Sequence, residues 1–186
     1  MIEQKANTAL LVMDMQERLL SSLPGSDQMI PRVSKAIDHA RKNGIPVIYV
    51  VVGFRQGFPE ISPENKSFSQ FPSRMVGVDV SAFMKIAPAL EPKDQDITVI
   101  KKRFSAFAGS DLEIVLRSKG IRHLVLCGVV TSGVVLATFI DAADKDYQLT
   151  VLSDGCMDRD PQVHEVLLEK IFPRSAAVVS CEEWCQ

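Results

Sequence analysis

Neither sign of charge dominates this chain: the formal net charge is -2 and the isoelectric point lies near 5.9. Dedicated nucleic-acid binders carry a basic excess or stripe. The nearest approach here, Lys101-Lys102-Arg103, is too short to follow a phosphate backbone, so no nucleic-acid partner is expected. Long apolar runs are also missing. None approaches the ~18 residues that cross a bilayer, and no membrane partner is expected. The opening MIEQKANTALLVMDM has one Lys and an apolar run broken by Asp14. It lacks the charged start, long apolar stretch and small-residue cleavage site of a signal peptide, which predicts a cytoplasmic protein. Cysteines are few, at 127, 156, 181 and 185. A chain of 186 residues, 46% of them hydrophobic, builds a core without staples, so reduced thiols are expected. The histidines, His39, His123 and His164, form no H-x-H or H-E-x-x-H pair, and Cys181 and Cys185 lack further ligands nearby, so no metal site is expected. No G-x-G-x-x-G or Walker lysine loop follows a strand, and no internal repeat is visible. No cofactor is expected.

What the chain does have is an alternation of buried-strand runs and helical stripes. TALLVM (8–13) is a continuous apolar run ending at Asp14, the pattern of a strand covered on both faces. Between Gln28 and Asn43 the apolar positions Met29, Ile30, Val33, Ala36, Ile37 and Ala40 fall at helical spacing, and Asn43-Gly44 supplies the stop. Further strands are predicted at PVIYVVVGF (46–54), DITVIKK (96–102), RHLVLCGVV (122–130), YQLTVLSD (147–154) and SAAVVS (175–180). Helices are predicted at 110–119, from Thr131 to about Lys145, and at 161–172, where Pro161 suits an N-terminal position. Residues 55–92 show no sustained period beyond Val80–Met84. A loop this long is often functional, and it is expected to cover a pocket. Six buried strands joined mostly by helices predict one domain over 1–186. Its fold class is α/β, a doubly wound three-layer α/β/α sandwich on a six-stranded parallel sheet.

Ligands of such sheets bind outside the carboxyl ends of the strands, which directs attention to the residues that follow each apolar run. Asp14 is either a partly desolvated carboxylate at a strand mouth or the cap of a short helical turn. Lys101 shares a strand face with Val99 and Arg103 by alternation, and by itself reads first as a solvated strand end. In GVVTSGVVLATFIDAAD (128–144) the first amides of a helix face the strand ends, making either an anion site or a tight capped turn.

Taken in order, LLVMDMQ, then KKRFSAFAGSDL, then CGVVTSGVVLATFIDAAD resemble the isochorismatase-like (cysteine hydrolase) superfamily across nearly the whole chain. The resemblance implies that Asp14 and Lys101 meet in one pocket as the catalytic pair. It also implies a cis peptide between Val129 and Val130 that shapes an oxyanion turn, and self-association of the chain. Substrate-lining positions are expected at Phe54, Gln56, Phe107, Val129, Val130 and Val134. Most members use an Asp–Lys–Cys triad. The cysteine should follow T-S-G, where this chain has Val134, and valine offers no nucleophile. Cys127 lies within the fourth strand, and Cys156 follows the fifth at a distance from the site that the sequence does not define. The superfamily's thiol-free chemistry, vinyl-ether hydrolysis by a protonated acid, fits what remains. This predicts a hydrolase of a small molecule working through Asp14 and Lys101; the alternatives are a binding protein without turnover and an amidase using another thiol. The nicotinamidase branch is disfavoured, because its D-x-H loop and further metal-binding histidine have no counterpart in residues 55–92.

Overall fold

The computed structural model describes residues 7–186; the first six residues of the predicted domain, which also open the stretch read for a signal peptide, lie outside it. The strands are β1 (Thr8–Met13), β2 (Val47–Val52), β3 (Ile97–Lys101), β4 (His123–Val129), β5 (Gln148–Met157) and β6 (Ala177–Val179). The helices are α1 (Glu17–Leu20), α2 (Ser26–Lys42), α3 (Phe71–Arg74), α4 (Val80–Phe83), α5 (Leu112–Ser118), α6 (Leu136–Asp144), α7 (Pro161–Val166) and α8 (Cys181–Trp184). A π-type turn, Thr131–Val135, leads into α6. Among the described residues no helix is long and apolar enough to cross a membrane.

All strand pairs are parallel, in the order β3-β2-β1-β4-β5-β6. The chain builds outward from β1 to β3, then returns to β4 on the other side of β1. That reversal makes the β1/β4 boundary the switch point, outside whose carboxyl end a doubly wound sheet opens a crevice. β1 and β2 are buried along their full lengths, which explains their unbroken apolar sequence. Alternation sends Ala9, Leu11, Met13 and Val99 into one core layer, with Leu112 and Leu116 of α5 and Phe139 of α6. Leu10 and Val12 enter the opposite layer with Met29, Val33, Ala36, Ile37 and Ala40 of α2. That helix carries Asp27 in its first turn and Arg41 and Lys42 in its last, matching its dipole. It ends where Gly44 takes φ +68°, a conformation that favours glycine.

Two sequence expectations need correction. β5 does not stop at Asp154 but runs to Met157, because its pairing with β4 shifts register between Leu126 and Gly128 and then resumes as Gly128↔Cys156 and Val129↔Met157. Gly128 sits at φ +140°, and a Cβ there would lie 2.1 Å from the Met13 carbonyl oxygen, so only glycine lets β4 and β1 approach at this point. Residues 55–92 are also not a bare loop. They contain α3 and α4 and close a small core of Val52, Phe54, Phe68, Met75 and Phe83. Residues 15–17 anchor this segment through a Gln16↔Ile86 bridge, with Ala87 N donating to Met15 O and Glu17 N to Lys85 O, both at 3.0 Å.

Candidate active site

Asp14 follows the last residue of β1 and adopts φ +54°, a left-handed conformation that aspartate tolerates better than most residues. Continued alternation would turn its side chain away from the Met13 and Val99 layer; the left-handed turn breaks that alternation. Its Oδ2 lies 2.9 Å from Nζ of Lys101, a lysine only 1% exposed at the end of β3. Lys101 Nζ also donates to the carbonyl oxygens of Arg103 at 2.9 Å and Phe104 at 3.0 Å. Three acceptors match the three protons of an ammonium. They leave the amine nothing to offer a further partner.

The other carboxylate oxygen is different. Asp14 Oδ1 is the one buried side-chain nitrogen or oxygen among the described residues with no hydrogen-bond partner. An orphaned buried acceptor is costly, and protonating the carboxyl relieves the cost by removing its charge. Burial accordingly pushes the Asp14 pKa up to about 6, against the opposing charge and hydrogen bond of Lys101. Burial likewise pushes the Lys101 pKa down, against Asp14. Desolvation therefore outweighs attraction at the acid.

The residues around the pair are tied to it by the segment after β3. Lys102 Nζ donates to Gly53 O at 2.8 Å. Arg103 donates to Glu60 O at 2.8 Å, and its guanidinium carbon lies 5.6 Å from the centre of the Phe68 ring. The Phe104 ring packs 5.0 Å from Phe68, and its Cδ1 lies 3.6 Å from where a Cβ on Gly133 would stand. One basic stretch thus joins the acid after β1, the covering segment 55–92 and the turn after β4. That turn begins at the Val129–Val130 peptide, which is cis. Val134 is 2% exposed, in the core layer shared with Met13 and Val99.

The remaining predicted positions divide. Phe54 is buried with its ring against Phe58, Phe68 and Phe71, so it supports the covering segment. Gln56 is exposed on the loop after β2. Phe107 does not join the site: its ring lies 6.1 Å from Tyr147 and beneath Lys145, beside the amino end of β5. Asp14 stands at the opposite, carboxyl end of the sheet. The segment after β3 turns back there because Ala106 N donates to Thr138 Oγ1 and Ser110 Oγ to Ala106 O. Cys127 and Cys156 are both buried. Burial pushes the Cys156 thiol up to about 12 and the Cys127 thiol well above its ordinary value, the reverse of an activated nucleophile. Among the described residues no group of three or more His, Cys, Asp or Glu is placed to hold a metal ion.

Sequence reading missed Gln16. It is fully buried, with Oε1 accepting from Val52 N at 2.8 Å and Nε2 donating to Val52 O at 3.2 Å and Phe83 O at 2.6 Å. A polar side chain two residues past Asp14 was the available signal. The partners are main-chain groups, which leave no mark in the sequence.

The isochorismatase domain model matches residues 8–183. The uncharacterized isochorismatase family protein YwoC of Bacillus subtilis (strain 168) is 31% identical over 179 residues, covering 96% of this chain and 93% of that protein. An Arabidopsis thaliana protein named probable inactive nicotinamidase is 30% identical over 194 residues, covering 100% and 98%. Among solved structures, a cysteine hydrolase from Pseudomonas syringae pv. phaseolicola 1448A shares the fold with a TM-score of 0.88 at 22% identity, covering 97% of this chain and 92% of that one. The chain belongs to the isochorismatase family.

Proposed function

We propose that this family member hydrolyses a small molecule by acid–base chemistry at Asp14 and Lys101, without a cysteine nucleophile. The observation that carries this reading is the division of labour within one carboxyl group: Oδ2 is held by Lys101, while Oδ1 is buried and unpartnered. A carboxylic acid with a pKa of about 6 is suited to give a proton near neutral pH. In vinyl-ether hydrolysis the Asp14 proton forms the new C–H bond at the enol carbon, leaving an oxocarbenium ion. Water adds to that ion, its proton returns to the Asp14 carboxylate, and the hemiketal collapses to a carbonyl and an alcohol. Lys101, with all three protons committed, tunes and orients the acid. Val134 supplies no atom for a thioester, and the raised thiols of Cys127 and Cys156 disfavour another cysteine in that role.

A second reading, a binding protein without turnover, draws on Val134 at the nucleophile's position and on the relative named probable inactive nicotinamidase. Turnover of a panel of vinyl ethers, amides and ureides separates the two. Hydrolysis lost in Asp14→Asn and retained after iodoacetamide treatment supports the acid mechanism. Ligand-induced thermal shifts without hydrolysis of any panel member support the binder.

A further inference from the structure

A cavity of about 480 Å3 lies away from the Asp14–Lys101 pair, between the carboxyl half of β5, one face of α2 and the start of α7. Its polar lining includes Arg32 and Gln28 from α2, Ser153 and Asp154 within β5, Asp158 just after it and His164 from α7, with Met29 and Met157 as apolar wall. The volume falls within the range of small-molecule sites, and a few convergent polar groups on an apolar wall are their usual make-up.

The lining has unused bonding capacity of both signs. The closest acid to the Arg32 guanidinium is Asp154 Oδ2, at 3.8 Å, beyond hydrogen-bond length. Asp154 holds its other oxygen on the amide of Cys181 at 2.6 Å, which fixes the carboxylate in place. The Asp158 carboxylate is fixed as well, accepting from Ser132 N at 2.6 Å and from Asp160 N at 3.2 Å. Burial works against its charge, but the Ser132 bonds prevail and hold its pKa below the ordinary value. Burial keeps His164 below the usual histidine range, against the charge of Asp158, so a neutral imidazole faces the space. A planar guanidinium binds a carboxylate through two parallel bonds, and the anchored carboxylates accept from an ammonium.

Two of these lining residues also grip the turn that follows the cis peptide. Asp158 holds Ser132 N, and His164 Nδ1 lies 2.9 Å from Oγ1 of Thr131, which is wholly buried. The Thr131–Val135 turn carries Val134, where the sequence resemblance sets the expected nucleophile. A molecule that engages Asp158 or His164 therefore competes for the bonds that set this turn.

We propose that the cavity is a second binding site, for a small molecule bearing both a carboxylate and an amino group, and that its occupancy is felt at the Thr131–Val135 turn. The test is a titration of the 15N-labelled protein with β-alanine, with propanoate and propylamine as single-charge controls. The expected result is a saturable β-alanine shift that includes the Ser132 amide, with affinity at least about tenfold above either control, the value of one charge-assisted contact. Arg32→Gln and Asp154→Asn, both at accessible side chains, each weaken binding by about the same factor, whereas Asp14→Asn leaves it unchanged. The proposal is overturned by an absence of saturable shifts, by equal binding of a control, by shifts that spare Ser132, or by binding that survives in both cavity variants.

Discussion

Lys101 Nζ lies 2.9 Å from Oδ2 of Asp14, yet Oδ1 of the same carboxylate has no partner. An ion pair made only for stability would satisfy both oxygens, since an isolated buried acceptor forfeits about 1–3 kcal/mol. The free oxygen is the feature from which the acid chemistry proposed above is built.

The first prediction concerns pH. Acid catalysis needs protonated Asp14, so kcat/KM on a competent substrate holds steady below a pH of about 6 and falls about tenfold per pH unit above it. Asp14→Asn removes this limb along with about 100- to 10,000-fold of the rate, the usual worth of a positioned general acid.

The second concerns stability. The folded pKa of Asp14, about 6, exceeds its ordinary value of 3.8, so folding takes up a proton between the two. Asp14's contribution to stability is then greatest in acid and is lost as pH rises from about 4 through about 6. Denaturant unfolding across that window should show a slope for this group in the wild type that is missing in Asp14→Asn.

The third separates Lys101 from Asp14. Lys101→Met removes the charge that holds the acid down, so the Asp14 pKa rises above about 6 and the pH limb moves upward. The loss of a buried partner that also ties Arg103 and Phe104 costs about 3–5 kcal/mol in urea unfolding. An unmoved limb would show that Lys101 does not tune the acid.

The fourth concerns Gln16, whose carboxamide holds both main-chain groups of Val52 and the carbonyl of Phe83. Gln16→Ala leaves these groups buried and unpaired, costing about 3 kcal/mol. Limited proteolysis should then cut first within residues 55–92, because the side chain hydrogen-bonds both Val52 of β2 and Phe83 of that segment.

Much of the architecture was legible because burial writes itself into sequence. TALLVM and VIYVVV are apolar throughout since both faces are covered, whereas Lys101 by itself reads as a solvated strand end and only the family resemblance pairs it with Asp14. The end of β5 was not legible, since the strand crosses polar Ser153 and Asp154 and resumes pairing only through a shift in β4. The order within residues 55–92 was hidden for a related reason: Phe54, Phe68, Phe71 and Phe83 interlock over long sequence distances, which no local period records. Phe107 misled because its neighbours suggested a strand-end site, whereas hydrogen bonds at Ala106 and Ser110 turn the chain toward Tyr147.

A fifth prediction uses Val134, which the sequence resemblance sets where the family's cysteine is expected. Val134→Cys places a thiol in a site 2% exposed, at a cost of about 1 kcal/mol for the lost volume. If the turn and Asp14 retain a thioester-competent arrangement, the variant gains amide hydrolysis that iodoacetamide abolishes and that the wild type lacks.

The most direct test requires no substrate. A 13C titration of the Asp14 side-chain carboxyl, assigned by comparison with Asp14→Asn, reads the protonation of the acid itself. The account predicts a midpoint of about 6; a midpoint in the ordinary aspartate range, near 4, would contradict it.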